Sequence, residues 1–262
     1  MVNIQNIETI SDFEPVRVKK YIFLWCSDGK ISILVDNKLL TLSKNQVLTI
    51  TSGQYHCFKS IGRSRGYMLD FTLDYICKTE KDIELIFQNS LFCHFDYNEV
   101  ISINHPLNIE QQLQEIEKEL KEKPFQYLES VHSRIELLLF EVNRSKIANG
   151  GKIWKPDALF LRFLELVRNN FSKNYSLAEI ANQLQTTELK LNDLAKQHAG
   201  KTAQNVIYGL VISEAQRILQ YENRRMKEIA FALGFQDPYY FSKFFKNHTG
   251  MSPTGYEKSL KS

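Results

Sequence analysis

The feature that most constrains this chain is a repeat near its C-terminal end. Glu179-Ile180-Ala181, followed by Leu184, recurs 49 residues later as Glu228-Ile229-Ala230, followed by Leu233. Lys196-Gln197-His198-Ala199-Gly200-Lys201-Thr202 recurs 50 residues later as Lys246-Asn247-His248-Thr249-Gly250-Met251-Ser252. One added residue between otherwise matched segments is what a turn of different length produces. Two copies are too few for a solenoid, which needs about three. The repeat therefore predicts one all-α domain holding two similar helical units.

Each copy reads as a helix-turn-helix. In the first, Ser176 precedes Glu179 by three residues, a capping box. Leu177, Ile180, Ala181 and Leu184 form an apolar face, and small Ala181 admits a close second helix. After a turn at Gln185–Thr187, a helix over about 188–198 buries Leu191, Leu194 and Ala195. In the second copy Met226, Ile229, Ala230 and Leu233 are apolar, and Gly234-Phe235 makes the turn, with Gly234 suited to positive φ. Asp237 caps the next helix, Pro238 fits its first position, and Phe241 and Phe245 are its core residues.

The opposite faces carry donors and acceptors. Lys190, Asn192, Asp193, Lys196 and Gln197 lie on the first, and Tyr239, Ser242, Lys243, Lys246 and Asn247 on the second. Such faces suit phosphates and base edges in a DNA major groove. Between the copies, Ala203–Tyr221 reads as one helix, apolar on both sides through Val206, Ile207, Leu210, Val211, Ala215, Ile218 and Leu219. Its nineteen residues span about 28 Å. Successive major grooves on one face of a duplex lie roughly 34 Å apart. With the width of the flanking units added, one polypeptide could read two adjacent grooves.

Charge distribution agrees. Residues 1–151 hold 17 Lys+Arg against 20 Asp+Glu, net −3, while residues 152–262 hold 16 against 10, net +6. The basic part is the part with the repeat.

Upstream the pattern is different. Tyr21–Trp25, Ile31–Val35, Leu39–Leu42, Val47–Thr51, His56–Lys59 and Tyr67–Leu73 are short apolar runs separated by Asp28-Gly29, Asp36-Asn37, Ser52-Gly53 and Gly62 to Gly66. This spacing predicts an antiparallel sandwich or small barrel. Ile109, Leu113, Ile116 and Leu120 then recur at helical spacing, and Pro124 ends that helix. A second helix carries Leu128, Val131, Ile135, Leu138 and Val142, a stripe suited either to a dimer seam or to packing on its own barrel. Asn149-Gly150-Gly151 and Pro156 mark a linker. The fold class expected is α+β in two domains. A β-barrel occupies 1–105, a helical linker and dimerisation segment 106–147, and an all-α domain 157–262.

The phrase Glu228-Ile229-Ala230-x-x-Leu233-Gly234-Phe235-x-Asp237-x-x-Tyr240-Phe241-Ser242-Lys243-x-Phe245-Lys246-x-x-Thr249-Gly250-x-Ser252-Pro253 resembles the signature of the AraC/XylS family of bacterial transcription regulators. The likeness is strong over about 160–260. It is weaker over 20–80, where Ser52-Gly53-Gln54-x-His56 resembles a cupin-type sensor barrel. The resemblance implies a sequence-specific regulator of double-stranded DNA whose barrel binds a small-molecule effector, forms a homodimer, or both. RNA polymerase is the implied partner of an activator. Three positions depart from the family pattern. Leu210 and Val211 stand where an Arg is frequent, Glu257 where an Arg often follows the final Tyr, and Arg225 where a Ser or Thr usually caps.

Other chemistries lack their residues. The barrel region has His56 between Tyr55 and Cys57, with His94 and His105 outside any His-x-His spacing, so no metal or other cofactor is expected there. No G-x-S-x-G, P-loop, dinucleotide fingerprint or H-E-x-x-H is present, and no enzyme activity is expected. Cys26, Cys57, Cys77 and Cys93 are scattered and expected to be reduced. The segment Met1–Pro15 carries Glu8, Asp12 and Glu14 without a long apolar run, so neither a secretory signal nor a membrane partner is expected. A cytoplasmic protein follows. Trp25, Tyr55, His56, Tyr67 and Met68 are the candidates to line a ligand cavity. The competing reading is a cupin-type small-molecule-binding protein or enzyme whose helical tail mediates protein contacts.

Overall fold

Short apolar runs punctuated by Gly and Asn turns fold the first of two units, Met1–Lys155, into two antiparallel sheets in a computed structural model of the chain. The structure describes residues 1–10, 14–92, 98–151 and 153–260; Cys93 and His94 lie outside them. The strands are β1 (Val2–Asn6), β2 (Val16–Arg17), β3 (Tyr21–Asp28), β4 (Lys30–Val35), β5 (Lys38–Ser43), β6 (Gln46–Ile50), β7 (Tyr55–Ser60), β8 (Arg65–Phe71) and β9 (Val100–Ser102). One sheet has the order β1-β8-β3-β6-β9 and the other β2-β7-β4-β5. The architecture is a sandwich of two sheets, with no strand pairing across them to close a ring among the described residues.

Alternation along each strand sorts the core into two layers. Ile22, Leu24, Cys26, Leu48 and Ile50 of the first sheet meet Ile31, Ile33, Val35, Leu40, Leu42 and Phe58 of the second. Tyr21, Phe23 and Trp25 point to the other side of β3, so Tyr21–Cys26 is buried on both faces and apolar without a break. On that side Tyr21 packs edge-on against Phe87 and Phe92 and stacks on Phe71. Gly66 lets β8 approach β3, since a Cβ there would sit 1.9 Å from the Trp25 carbonyl oxygen.

Among the described residues four helices follow the strands or lie among them: α1 (Leu73–Ile76), α2 (Glu80–Phe87), α3 (Pro106–Glu122) and α4 (Tyr127–Ala148). The last expected strand stops at Phe71 because Thr72 begins a helical turn. α3 ends in the left-handed residue Lys123, one position before Pro124. Ile109, Leu113 and Ile116 of α3 are fully buried, as are Val131, Ile135, Leu138 and Val142 of α4. Four residues of the α4 stripe are thus packed within their own unit, while Leu128 at its start is exposed. Cys26, Cys57 and Cys77 are free thiols.

The five residues expected to line one cavity do not converge. Trp25 and Tyr67 lie on the outer face of the larger sheet, where Trp25 Nε1–H donates to Glu110 of α3 at 2.6 Å and the Tyr67 hydroxyl donates to Glu117 at 3.3 Å. Burial, then the charge of Glu117, pushes the Tyr67 hydroxyl up to about 12. Tyr55 sits in the smaller sheet beneath the Arg17 guanidinium, 5.4 Å from its ring. Met68 pairs with Leu24 and faces the sandwich interior. His56 pairs with Val35, shares the inner face with Phe58, and is only 4% exposed, with Nδ1 lacking a hydrogen-bond partner. Only His56 and Met68 of the five therefore look inward.

The second unit, Pro156–Ser262, holds seven helices among its described residues. They are α5 (Ala158–Asn169), α6 (Leu177–Gln183), α7 (Glu188–Ala199), α8 (Ala203–Tyr221), α9 (Met226–Ala232), α10 (Pro238–Thr249) and α11 (Pro253–Leu260). α8 packs against α5, α7, α9, α10 and α11. No helix among the described residues is long and apolar enough to cross a membrane.

Two measurements test this packing. Leu138 is 1% exposed and Leu137, its neighbour, 52%. Leu138→Glu should cost about 3–5 kcal/mol in urea unfolding by burying an unpaired charge, whereas Leu137→Glu should stay within about 0.5 kcal/mol of wild type. Burial holds the His56 imidazole below its ordinary value of 6.5, so the folded state binds fewer protons than the unfolded chain. The contribution of this group is complete above the unfolded value and declines as pH falls below it. The first unit should lose stability as pH falls below the ordinary imidazole value of 6.5, and His56→Phe should flatten that slope.

Candidate nucleic-acid interface

The duplication read from the sequence is reproduced helix by helix. α6 and α9 are each 7 residues long, and α7 and α10 are each 12. The extra residue of the second copy falls in the turn, which spans 184–187 in the first copy and 233–237 in the second.

Local chemistry explains each boundary. The Ser176 hydroxyl oxygen accepts the Glu179 N–H at 3.3 Å, while Glu179 accepts both the Ser176 N–H and its hydroxyl at 2.7 Å. Those bonds, the hydroxyl's first, hold the Glu179 carboxyl below its ordinary range. The Thr187 hydroxyl caps α7 by accepting from the Lys190 N–H at 3.1 Å. In the second copy Arg225 supplies no capping oxygen. Glu228 still accepts the Arg225 N–H at 2.8 Å, which keeps half of the capping box. Gly234 has φ +79°, and a Cβ there would lie 2.6 Å from that of Asn174 and 2.8 Å from the Phe171 carbonyl oxygen. Asp237 accepts the Tyr239 N–H at 2.7 Å, and Pro238 opens α10.

Each second helix buries one face and leaves the other in solvent. α7 buries Leu191, Leu194 and Ala195; α10 buries Phe241 and Phe245. Of the expected contact residues, Lys190, Lys196, Gln197, Tyr239, Lys243, Lys246 and Asn247 are exposed, and Ser242 is half-buried. Asn192 is the exception. It is half-buried, its amide donates to the Glu188 carbonyl at 3.1 Å, and its oxygen accepts the Ala203 N–H at 3.0 Å. This side chain ties α7 to the start of α8, so both ends of its amide are engaged within the protein.

Two residues outside the expected set join these faces. Leu189 is 72% exposed and Tyr240 64%. At the 50-residue offset the exposed positions pair as Leu189 with Tyr239, Lys190 with Tyr240, Asp193 with Lys243, Lys196 with Lys246 and Gln197 with Asn247. Extending the repeat through the intervening helix would have found Leu189 and Tyr240 from the sequence. The two faces share a layout and differ in chemistry. The first presents Leu, Lys, Asp, Lys and Gln, and the second Tyr, Tyr, Lys, Lys and Asn.

Aromatic packing sets the tilt of α10. Tyr208 of α8 meets Phe244 and His248 edge-on at 5.3 and 5.1 Å, Phe244 lies 4.4 Å from His248, and Phe235 of the turn lies 5.2 Å from Phe244. The four rings bind the turn, α10 and the connecting helix into one block.

Residues 180–259 match a family described as a helix-turn-helix domain. The raffinose operon transcriptional regulatory protein RafR of Pediococcus pentosaceus is 30% identical over 94 residues, 36% of this chain and 34% of that protein. The HTH-type transcriptional activator RhaS of Mannheimia succiniciproducens is 30% identical over 131 residues, 48% of each chain. The chain thus spans between a third and a half of the length of these relatives. Among solved structures, ToxT from Vibrio cholerae O395 aligns over 100% of this chain and 98% of its own at 16% identity and a TM-score of 0.46. The duplicated helices and the match over 180–259 together show a helix-turn-helix domain in the C-terminal unit, whose Glu228–Pro253 phrase is similar to the AraC/XylS signature.

Proposed function

We propose that this chain is a sequence-specific, double-stranded-DNA-binding transcription regulator and not an enzyme, with α7 and α10 as its two reading helices. The observation that carries the reading is the pair of exposed faces repeated position for position at a 50-residue offset. Within those faces Lys196 and Lys246, and the amides of Gln197 and Asn247, stand at matched positions, so both helices offer the same polar donors in register. The names of the relatives, transcriptional regulators and activators, support it.

The roles follow from side-chain chemistry. Lys190, Lys196, Lys243 and Lys246 supply phosphate contacts, which position the protein without reading sequence. Gln197 and Asn247 have the amide geometry that recognises adenine, and Asp193 accepts from a cytosine amine. Leu189, Tyr239 and Tyr240 present apolar surface to thymine methyl groups. Because Asp193 occupies the position of Lys243, the two units read different sequences, and the preferred site is asymmetric. α8 spans about 28 Å, which suits helices entering successive grooves about 34 Å apart once the unit widths are added.

The first unit serves as the sensor. The inward-facing His56 and Met68, with Asp70 held by Lys20 and Asn3 on the same inner face, offer mixed polar and apolar contacts to a small-molecule effector. A homodimer formed through α4 uses its exposed apolar residues Leu128, Leu137 and Phe140 and not the buried Val131, Ile135, Leu138 and Val142. RNA polymerase is the partner in activation, and the cytoplasm is where such a protein meets its DNA.

Selection of bound duplexes from a random pool tests the reading. The expected product is one asymmetric site with two recognised segments about 10 base pairs apart; a pool that never enriches would overturn it. On the selected site, Lys243→Ala combined with Lys246→Ala should lower the slope of log K against log salt by about 2. Gln197→Ala should instead relax preference at one position, by about 1–3 kcal/mol against the wrong base.

A further inference from the structure

Away from both reading helices, three ligand-type side chains meet between α2 and α4 of the first unit. They are Asp82 on α2 and His132 and Glu136 on α4, and one ligand atom of each lies within 4.8 Å of the others. All three are half-buried.

The hydrogen bonds around the cluster leave it made of acceptors. His132 Nε2 lies 2.9 Å from the Ile76 carbonyl oxygen, which has only lone pairs to offer, so Nε2 carries the proton and donates. In neutral imidazole this leaves Nδ1 as a bare lone pair, and Nδ1 is the nitrogen facing Glu136, 3.8 Å from its carboxylate. That distance is too long for a hydrogen bond. Asp82 is fixed from behind, because its Oδ2 accepts the backbone N–H groups of Lys78 at 2.8 Å and Thr79 at 2.7 Å. A nitrogen lone pair and two carboxylates thus face one another at a combined charge of −2.

We propose that Asp82, His132 and Glu136 bind a divalent first-row transition ion, Zn²⁺ by ligand preference. One imidazole nitrogen and two carboxylate oxygens are a borderline-to-hard donor set that suits this class. His132 and Glu136 stand one helical turn apart, so their side chains project from the same face of α4. The Ile76 carbonyl holds the imidazole in the tautomer and orientation a metal ligand requires, the usual outer partner of a ligating histidine. Tyr75 supports the same ring edge-on at 6.2 Å, and its own hydroxyl is anchored on the Leu128 carbonyl at 2.6 Å. Bonds of about 2.0–2.2 Å draw the ligand atoms closer together than they stand here, and the half-exposed Glu136 is free to swing inward. Three protein ligands leave further positions for water. Binding ties the short α2 to the long α4 and makes the order of this corner of the unit depend on the ion.

Titration of the chelator-treated full chain with ZnCl₂ in a calorimeter tests the assignment, together with thermal melting with and without the ion. One equivalent should bind saturably and raise the melting temperature. Both effects should weaken at least about tenfold in affinity in His132→Gln and in Glu136→Gln. Glu136 is half-exposed, so Glu136→Gln keeps the test valid should His132→Gln fail to fold; circular dichroism reports that. Absence of saturable binding, or binding that falls less than tenfold in the folded variants, overturns the proposal. Neither readout involves DNA, so the result stands or falls separately from the regulatory function.

Discussion

Burial of α8 on both flanks is the constraint on which the C-terminal unit depends. Val206, Ile207, Leu210, Val211, Ala215, Ile218 and Leu219 are all removed from water, and the helix touches five others. Burying a Val, Leu or Ile side chain contributes about 1.5–3 kcal/mol, so these contacts outweigh any single cap or ion pair in the unit. Glu214 and Arg217 are buried beside them, 3.7 Å apart. Paired charges in such a place contribute little to net stability but penalise any rotation of the helix that would separate them. A helix held this way cannot roll. That matters because both helix-turn-helix units hang from it, the first through Asn192 at its first residue and the second through the Tyr208 rings and the Ala215, Ile218 and Leu219 cluster further along.

The first unit solves a related problem with a strand. β3 is buried on both faces, so it is at once the centre of the sandwich core and the floor on which the helices pack. Its outward Trp25 is hydrogen-bonded to Glu110, which pins α3 to the sheet. The inner face keeps a small polar group, His56 with Asp70 nearby, in an otherwise apolar layer. Buried polar atoms without partners are uncommon, so the unpaired Nδ1 of His56 sets the inner face apart from the aromatic outer one.

Much of the fold was legible in the residues. The repeat marked four helices and the connecting helix, and Pro124, Gly234 and Asp237 ended or began helices for the reasons their chemistry suggests. Runs such as Ile31–Val35 fell within strands because Gly and Asn turns bracketed them. β1 and β9 were not legible. Val-Asn-Ile-Gln-Asn has two apolar residues and Val-Ile-Ser is three residues long, and each is a strand only because a neighbour offers hydrogen bonds. The assignment of Trp25 and Tyr67 to a cavity failed for a geometric reason. Period-2 alternation separates two faces without saying which is inward, and a strand apolar on both faces gives no contrast at all.

Sequence alone determined the duplicated helical units, their caps and the residue types on their outer faces, because those depend on neighbours three or four positions away. Tertiary structure decided which of those side chains remain available. Asn192 is spent on α8, 11 residues downstream, and Val131, Ile135, Leu138 and Val142 of α4 are buried within their own unit. It also brought Asp82 to His132 and Glu136 across about 50 positions of chain. Contacts of that range arise from packing, in which shape and exclusion of water select partners that no local periodicity encodes.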